Sequence, residues 1–237
     1  MTLDRDRQRA FPGAAEATAV HCIAHRGFAG VHPENTLPAV RAVADRADGI
    51  EMDLRRCRSG ELVACHDATV DRTTDGSGPV ADHTADELAA LSVAGSDAGV
   101  PTARAVLDAI PPEVVLHAEL KERVGHDFEA LVEGLAAPPP VVVSSFDPDA
   151  LAAVASLPRA LLVGEAEDAV ERARSLDCTV LHPAVDACDA TLVDRARAAG
   201  LAVNAWTVTD PAETRRLRKL GVDGVITDFP ACCPSRV

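Results

Sequence analysis

The sequence predicts an α/β fold of the (β/α)8 TIM-barrel type, with a small insertion after the second strand. Eight short apolar runs alternate along the chain with longer segments of helical period, which is the pattern of a repeating βα protein. The chain has 237 residues, close to the ~250 residues of a typical single barrel. A turn-rich stretch over residues 58–99 interrupts one crossover. Together these observations predict one barrel with an elaborated loop.

Each predicted strand is a short run rich in apolar and β-branched residues. The eight runs cover residues 20–25, 49–54, 114–120, 141–146, 160–164, 179–183, 201–208 and 224–228. A doubly wound open sheet is the alternative arrangement of such strands. The dinucleotide-binding form of that fold carries a glycine-rich fingerprint after its first strand, and none follows residue 25 here. The barrel is therefore the preferred prediction.

Several helices begin at recognisable capping residues. Thr36 precedes the segment LPAVRAVADRA, and an Asp-Pro pair opens both DALAAVASL at residue 147 and AETRRLRKLG at residue 210. A side-chain oxygen at the cap followed by proline in the first turn is a typical helix start. Gly221 marks the end of the last of these helices.

The crossover after the second strand is irregular. Ser59-Gly60 predicts a tight turn into a second extended run. The turn-rich segment 71–80 then leads to a short helix over residues 84–91, and the next barrel helix falls over residues 101–110. We therefore expect a single catalytic domain over residues 1–237, with residues 58–99 inserted over the barrel mouth and residues 1–18 as an N-terminal extension.

Composition excludes several classes of protein. The net charge is −14, which argues against a nucleic acid or an anionic membrane as a general partner. No run reaches the ~20 apolar residues of a membrane helix, and the charged start MTLDRDRQRAF lacks the apolar core of a signal peptide. The seven cysteines form no paired metal or disulfide pattern. We therefore expect reduced thiols, a cytoplasmic protein and no membrane anchor.

Carboxylates are concentrated at the ends of two predicted strands. Glu51 and Asp53 are two residues apart, so both side chains project from the same face of their strand. His117, Glu119 and Lys121 form a second such series. Three carboxylates converging at a barrel mouth repel one another, and a divalent cation removes that repulsion. All-oxygen ligation favours Mg²⁺ or Ca²⁺, although an E-x-D pair is common by itself and Glu119 with Lys121 is also consistent with a simple ion pair.

The scarce residue types also fall at predicted strand ends. The chain has only two lysines, Lys121 and Lys219, and a compact ammonium at the end of an acidic strand suits a phosphoryl oxygen. Aromatic residues are similarly rare, yet four lie at or just beyond strand ends, namely Phe28, Phe146, Trp206 and Phe229. Core packing alone does not predict this placement.

Nine short motifs, in order and with suitable gaps, resemble those of the glycerophosphodiester phosphodiesterase family. The motifs are HRG (25–27), PENT (33–36), ExD (51–53), HD (66–67), RTTDGSG (72–78), ELK (119–121), SF (145–146), WTV (206–208) and ITDFP (226–230). Each motif is weak alone, but the resemblance covers the chain from residue 20 to about residue 230. The family fold is a TIM barrel with an insertion after strand two, in agreement with the pattern described above.

The resemblance implies a role for each matched position. It implies that one divalent cation, Mg²⁺ or Ca²⁺, is bound by Glu51, Asp53 and Glu119. It implies that His25 and His66 are the acid–base pair, that Arg26 and Lys121 hold the phosphate oxygens, and that Trp206 and Phe28 contact the glycerol side. Glu34 and Asn35 match a motif that orders the first loop, and residues 72–78 match a turn motif with a structural role.

The reaction that the resemblance implies is hydrolysis of a glycerophosphodiester to sn-glycerol 3-phosphate and an alcohol. Glycerophosphocholine and glycerophosphoethanolamine are the expected kinds of substrate. Which histidine is the acid, whether water or the glycerol 2-hydroxyl attacks, and the oligomeric state stay open. The alternatives are a lysophospholipase D-type phosphodiesterase, which needs an apolar channel, and a non-catalytic glycerophosphodiester-binding protein.

Overall fold

The computed structural model describes residues 20–234. The N-terminal extension expected over residues 1–18 lies outside these described residues. Eight parallel strands close into a barrel in the order β1-β2-β4-β5-β6-β7-β8-β9, with β9 returning to β1. The barrel strands are β1 (His21–His25), β2 (Gly49–Arg56), β4 (Val115–Leu120), β5 (Val141–Ser145), β6 (Arg159–Val163), β7 (Val180–Pro183), β8 (Ala202–Val208) and β9 (Gly224–Thr227). The predicted TIM barrel is confirmed.

Helices fill the crossovers between the strands. They are α1 (Leu37–Val43), α2 (Ala85–Ala89), α3 (Ala103–Ala109), α4 (Gly125–Glu133), α5 (Pro148–Ala152), α6 (Ala169–Ser175), α7 (Ala190–Ala198) and α8 (Pro211–Leu220). The predicted caps are present, since Thr36, Asp147 and Asp210 each accept a backbone N–H from the first turn. Helix α8 ends at Gly221, whose φ of +82° is a conformation that favours glycine.

The core lies mainly between the strands and the surrounding helices. The barrel interior holds a smaller apolar cluster of Val142, Ala160 and Val180. These residues lie near the amino-terminal ends of β5, β6 and β7. Polar side chains replace the apolar ones further along the same strands, as at Ser144 and His182. The carboxyl end of the barrel is therefore free to carry a polar site.

The insertion folds around its own small core. Strand β3 (Leu62–Ala64) runs antiparallel to the end of β2, with Leu54 opposite Ala64. This pairing agrees with the turn predicted at Ser59-Gly60. A 3-10 turn (Val80–Asp82) and helix α2 follow. The apolar cluster inside this segment consists of Cys57, Val63, Cys65, Val70, Val80, Leu88, Val93 and Val100.

The cysteines differ from the expectation of reduced thiols. Cys22 in β1 is disulfide-bonded to Cys233, 211 residues away in sequence. Pairing of β1 with β9 returns the end of the chain to β1. The spacing of the cysteines in the sequence does not predict such a contact. The free cysteines within residues 20–234 are Cys57, Cys65, Cys178, Cys188 and Cys232. The expectation of seven reduced thiols is therefore wrong for this pair.

We expect the Cys233→Ser variant to lose about 2–4 kcal/mol of unfolding free energy, because the bond constrains a very long loop of the unfolded chain. Urea unfolding with and without reductant measures this loss, and reductant should not affect the variant further. Alkylation of the unreduced, denatured protein should modify all cysteines except Cys22 and Cys233. Wild-type stability that is independent of reductant would contradict the prediction.

Candidate active site

Side chains from several strand ends converge on one cavity of about 80 Å³. Its lining includes seven of the residues predicted from sequence, namely His25, Arg26, Glu51, His66, Glu119, Lys121 and Trp206. His66 comes from the insertion and the others from the barrel or the residues directly after its strands. The cavity is at the carboxyl end of the barrel, where the fold places catalytic groups.

Three carboxylates form a compact triad beside this cavity. Asp53 and Glu119 lie opposite each other in the register of β2 and β4, and one oxygen each of Glu51, Asp53 and Glu119 falls within 4.8 Å of the others. All three side chains are buried. Burial, together with the charges of Asp53 and Glu119, raises the pKa of Glu51 well above its ordinary value. The triad therefore concentrates negative charge that its surroundings only partly offset.

The triad has the chemistry of a site for a hard divalent cation. Within the described residues, Oε1 of Glu51 is buried and accepts no hydrogen bond, which is an unfavourable state for a carboxylate. A set of carboxylate oxygens without thiolates or imidazoles suits Mg²⁺ or Ca²⁺. The residues present thus fit the cation that the sequence predicts.

Lys121 lies among the carboxylates of the triad. Its Nζ is 2.9 Å from Oδ1 of Asp53 and 2.5 Å from Oε1 of Glu119. Although burial lowers the pKa of this lysine, the two carboxylates raise it above its ordinary value overall. The ammonium therefore stays protonated and neutralises part of the triad in this structure.

Arg26 is held at the edge of the triad by the turn that follows β1. Its Nε lies 3.1 Å from Oδ2 of Asp53, and its Nη1 donates to Oε1 of Glu34 at 3.1 Å. Gly27 has a φ of +80°, and a β-carbon there would lie 2.7 Å from Cβ of Ala39. Only glycine fits this turn without moving α1, which accounts for the glycine of the HRG motif.

The PENT segment supports the same turn. Nδ2 of Asn35 donates to Oδ2 of Asp53 at 2.9 Å, and the backbone N–H of Asp53 donates to Oδ1 of Asn35 at 3.2 Å. Burial raises the pKa of Asp53, but Lys121, Arg26 and Asn35 lower it below its ordinary value overall. The loop after β1 thus orients one carboxylate of the triad and keeps it ionised.

Each of the two predicted catalytic histidines is held by an aspartate. Nδ1 of His25 lies 2.6 Å from Oδ1 of Asp228, and Nδ1 of His66 lies 2.6 Å from Oδ1 of Asp67. A carboxylate at Nδ1 favours the tautomer with its proton there, which leaves Nε2 of each ring for chemistry. Burial lowers the pKa of His66.

Roles for these two aspartates are missing from the sequence prediction. Asp67 follows His66 directly in the HD motif, and Asp228 is the acidic residue of ITDFP. The motifs therefore include both aspartates, but they do not indicate that Asp67 binds His66 or that Asp228 binds His25. Closure of the barrel brings the end of β9 beside the end of β1, and this is what places Asp228 next to His25.

The aromatic residues divide between the cavity and the core. The Trp206 indole N–H donates to the carbonyl of His182 at 2.8 Å, and its ring meets Phe146 edge to face at 5.4 Å. Phe28 is completely buried in the main core and is absent from the cavity lining. The expectation that Phe28 contacts the glycerol side is contradicted, because the chain turns with φ +62° at this residue and its ring packs inside the protein.

Two buried histidines lie in the barrel interior, and one of them, His182, also lines the cavity. The rings of His117 and His182 are 5.5 Å apart, and both side chains are almost fully inaccessible. Nδ2 of Asn204 lies 3.3 Å from Nε2 of His182. Burial lowers the pKa of His182 from 6.5 to about 3 and that of His117 well below its ordinary value. These rings are therefore neutral parts of the barrel interior.

Buried His182 should make the protein less stable as the pH falls. Between pH 6.5 and about 3 the unfolded state binds a proton that the folded ring does not, so the unfolding free energy falls by up to about 1.4 kcal/mol per pH unit. We expect the unfolding free energy of His182→Gln, measured by urea unfolding, to fall less than that of wild type between about pH 7 and about pH 4. His126→Gln, at an exposed position, is the control. Parallel profiles for wild type and His182→Gln would contradict the prediction.

The chain matches a model of the glycerophosphoryl diester phosphodiesterase family over residues 25–232. It is 33% identical over 237 residues to a glycerophosphodiester phosphodiesterase of Caldanaerobacter subterraneus, an alignment that covers 88% of this chain and 93% of the relative. A glycerophosphodiester phosphodiesterase of Bacillus subtilis is 29% identical, with 88% and 83% covered. No helix within residues 20–234 is both long and apolar enough to cross a membrane.

Solved structures show the same fold. A phosphodiesterase of Oleispira antarctica, in complex with the product sn-glycerol 3-phosphate, matches with a TM-score of 0.83 and 29% identity over 90% of this chain and 94% of that one. The glycerophosphodiester phosphodiesterase of Thermotoga maritima matches with a TM-score of 0.77 and 27% identity, covering 91% and 97%. The matched sequence, the closed barrel and the polar cavity at its carboxyl end together place this chain in the glycerophosphoryl diester phosphodiesterase family, as a hydrolase of phosphodiesters.

Proposed function

We propose that this chain hydrolyses glycerophosphodiesters to sn-glycerol 3-phosphate and an alcohol, with two histidines and one divalent cation. The observation that carries the proposal is the meeting of three kinds of group around one cavity. These are the carboxylate triad, the histidines held by aspartates, and the cations Arg26 and Lys121. Each kind of group by itself also occurs in proteins that act on quite different substrates, but together they supply a cation site, proton transfer and phosphate binding, which suits hydrolysis of a phosphodiester.

Glu51, Asp53 and Glu119 would hold the cation, which is Mg²⁺ or Ca²⁺ in our proposal. When bound, such a cation polarises a phosphoryl oxygen and offsets the charge that develops in the transition state. The burial of the triad strengthens electrostatic interactions there compared with water. The chain's own contribution is to fix three carboxylate oxygens within 4.8 Å of one another.

Arg26 and Lys121 would bind the non-bridging oxygens of the phosphate. Both already line the cavity, and both are anchored by carboxylates that fix their positions. Donors that are oriented before the reaction stabilise developing charge without reorganisation. The same local cations also account for how a chain of net charge −14 accepts an anionic diester.

His25 and His66 would transfer the protons. One ring accepts the proton of the attacking hydroxyl, from water or the glycerol 2-hydroxyl, as its oxygen bonds to phosphorus. The other ring, protonated at both nitrogens beforehand, donates its Nε2 proton to the leaving alkoxide as the phosphorus–oxygen bond to the alcohol breaks. Where the glycerol 2-hydroxyl attacks, this step gives a cyclic phosphate, which water then opens to glycerol 3-phosphate. Asp228 and Asp67 hold the rings at Nδ1 and would stabilise whichever ring becomes cationic.

The proposed substrates are small diesters such as glycerophosphocholine and glycerophosphoethanolamine. The Oleispira antarctica phosphodiesterase is in complex with the product sn-glycerol 3-phosphate, which supports the same product here. Trp206 remains the aromatic residue proposed to contact glycerol, because its ring borders the cavity. We also propose that residues 58–99 belong to the same catalytic domain, because they supply His66.

The test is release of glycerol 3-phosphate from both diesters, assayed with Mg²⁺, with Ca²⁺ and after chelation. We expect release that requires a cation. Turnover of lysophosphatidylcholine without turnover of either small diester would move the assignment to the lysophospholipase D alternative. Binding of the diester without release, in folded protein with either cation, would support the non-catalytic alternative.

A further inference from the structure

Arg72 of the insertion connects two loops of the active site. Its Nη1 and Nη2 donate to the two carboxylate oxygens of Glu34 at 2.9 and 2.8 Å. Its Nε donates to Oδ2 of Asp67 at 2.5 Å. A guanidinium that binds one carboxylate through two parallel hydrogen bonds is held in a defined orientation. Arg72 therefore fixes the separation between Glu34, in the loop after β1, and Asp67, in the insertion.

Each of these carboxylates holds a residue of the proposed reaction. The second oxygen of Asp67 lies 2.6 Å from Nδ1 of His66. Glu34 also accepts a hydrogen bond from Nη1 of Arg26 at 3.1 Å. The contacts form a continuous series from His66 through Asp67, Arg72 and Glu34 to Arg26. One arginine outside the cavity lining thus contacts the supports of both a proposed proton-transfer group and a proposed phosphate ligand.

The insertion holds the backbone around Arg72. Val70, two residues earlier, is completely buried in the small core of the insertion. The Asp71 carboxylate accepts the backbone N–H of Gly78 at 3.0 Å, and the hydroxyl of Thr74 donates to the carbonyl of Val70 at 2.9 Å. These bonds close the turn of the RTTDGSG motif. The motif thus carries the guanidinium at a fixed place over the mouth.

We propose that Arg72 is a positioning residue that sets the orientation of His66 and Arg26 at the same time. The inference rests on the proposed function, since it assigns Arg72 an effect on that reaction. The Arg72 side chain is 49% exposed, and ion pairs at such exposed positions contribute little to stability. Its loss should therefore affect catalysis more than folding. Small misplacements of reacting groups have large effects on rate.

Arg58 provides a matched control within the same insertion. It is also an exposed arginine, 54% accessible, and its Nη2 contacts both oxygens of Glu87 at 3.1 and 2.9 Å. Glu87 caps α2 and has no place in the cavity lining. Arg58→Gln therefore removes a similar surface pair without touching the active site.

The kinetic test compares Arg72→Gln, Arg72→Lys and Arg58→Gln with wild type. We expect Arg72→Gln to lower kcat by about 10- to 100-fold and to change KM less than kcat, because Arg26 keeps its ion pair with Asp53. Arg72→Lys should be intermediate, since it keeps the charge but not the paired hydrogen bonds. Arg58→Gln should match wild type in kcat, and both Gln variants should share its thermal midpoint. An unchanged kcat, or an increase in KM alone, would overturn the inference.

Non-additivity provides a second kinetic test. Asp67→Asn should lower kcat by a much smaller factor in the Arg72→Gln background than in wild type, because one support of His66 is already lost there. Fully additive effects on kcat would show that Arg72 does not act through Asp67.

The His66 ring can also be observed directly by ¹⁵N NMR of the histidines. We expect the Nδ1–H tautomer in wild type and in Arg58→Gln, and a mixture of tautomers in Arg72→Gln.

The NMR measurement separates this inference from the proposed function. If wild type turns over no diester but the His66 tautomer changes in Arg72→Gln, the proposed function fails and the positioning role stands. If wild type is active, and Arg72→Gln keeps both the wild-type kcat and the wild-type tautomer of His66, the positioning role fails and the proposed function stands. Each outcome therefore decides one of the two proposals.

Discussion

Replacing either His25 or His66 by alanine is expected to lower kcat for a glycerophosphodiester by about 10²- to 10⁴-fold, the usual contribution of general acid or base catalysis. The physical reason is that each Nε2 is the group proposed to transfer one proton, with Nδ1 held by an aspartate. KM should change far less, because Arg26 and Lys121 remain to bind the phosphate. Steady-state kinetics at saturating cation concentration measures both quantities.

A substrate with an acidic leaving group separates the two roles. A p-nitrophenyl diester of glycerol phosphate needs little protonation of its leaving oxygen. We therefore expect only one of the two alanine variants to recover a kcat near that of wild type on this substrate. That variant is the one that lacks the general acid. His126→Ala, at an exposed position, should behave as wild type on both substrates. Losses below about tenfold, or recovery of both variants, would contradict the acid–base pair.

Local sequence rules predicted the barrel strands and the convergence of the carboxylates, because both depend on short periodicities. Side chains two residues apart share one face of a strand, so the E-x-D pattern alone placed Glu51 and Asp53 together. Parallel registry of neighbouring strands then brought Glu119 beside Asp53. The HRG turn was also predictable, because Gly27 occupies a conformation with positive φ that favours glycine.

Contacts between distant parts of the chain were not predictable in this way. Asp228 meets His25 across 203 positions, and Cys22 meets Cys233 across 211. Both contacts arise from closure of the barrel, which no local window of sequence contains. The prediction that Phe28 contacts the glycerol side was wrong for a different reason. Its position after a strand fitted the cavity, but its ring is buried in the core. The contacts of Asp228 and Cys233 depend on which segments become neighbours in the folded barrel, and residue type alone does not reveal that.

Lys121 is the residue at which the proposed cation and the proposed phosphate site meet. Its ammonium lies within 2.9 Å of one oxygen of Asp53 and 2.5 Å of one oxygen of Glu119, and both carboxylates are proposed cation ligands. A positive charge among these oxygens opposes the binding of a second positive charge by Coulomb repulsion. The same charge stabilises a phosphate once it is bound. Lys121 should therefore weaken cation binding while accelerating the reaction.

Lys121→Met, which keeps an unbranched side chain one atom shorter but removes the charge, should change the cation affinity and kcat in opposite directions. We expect Mg²⁺ or Ca²⁺ to bind about tenfold more tightly or better, and kcat at saturating cation to fall by about 10²- to 10³-fold. Calorimetric titration measures the affinity without turnover. Lys219→Met is the control, since Lys219 is the only other lysine and lies exposed on α8. Weaker cation binding in Lys121→Met would show that the ammonium orders the carboxylates rather than competing for them, and an unchanged kcat would remove Lys121 from the phosphate site.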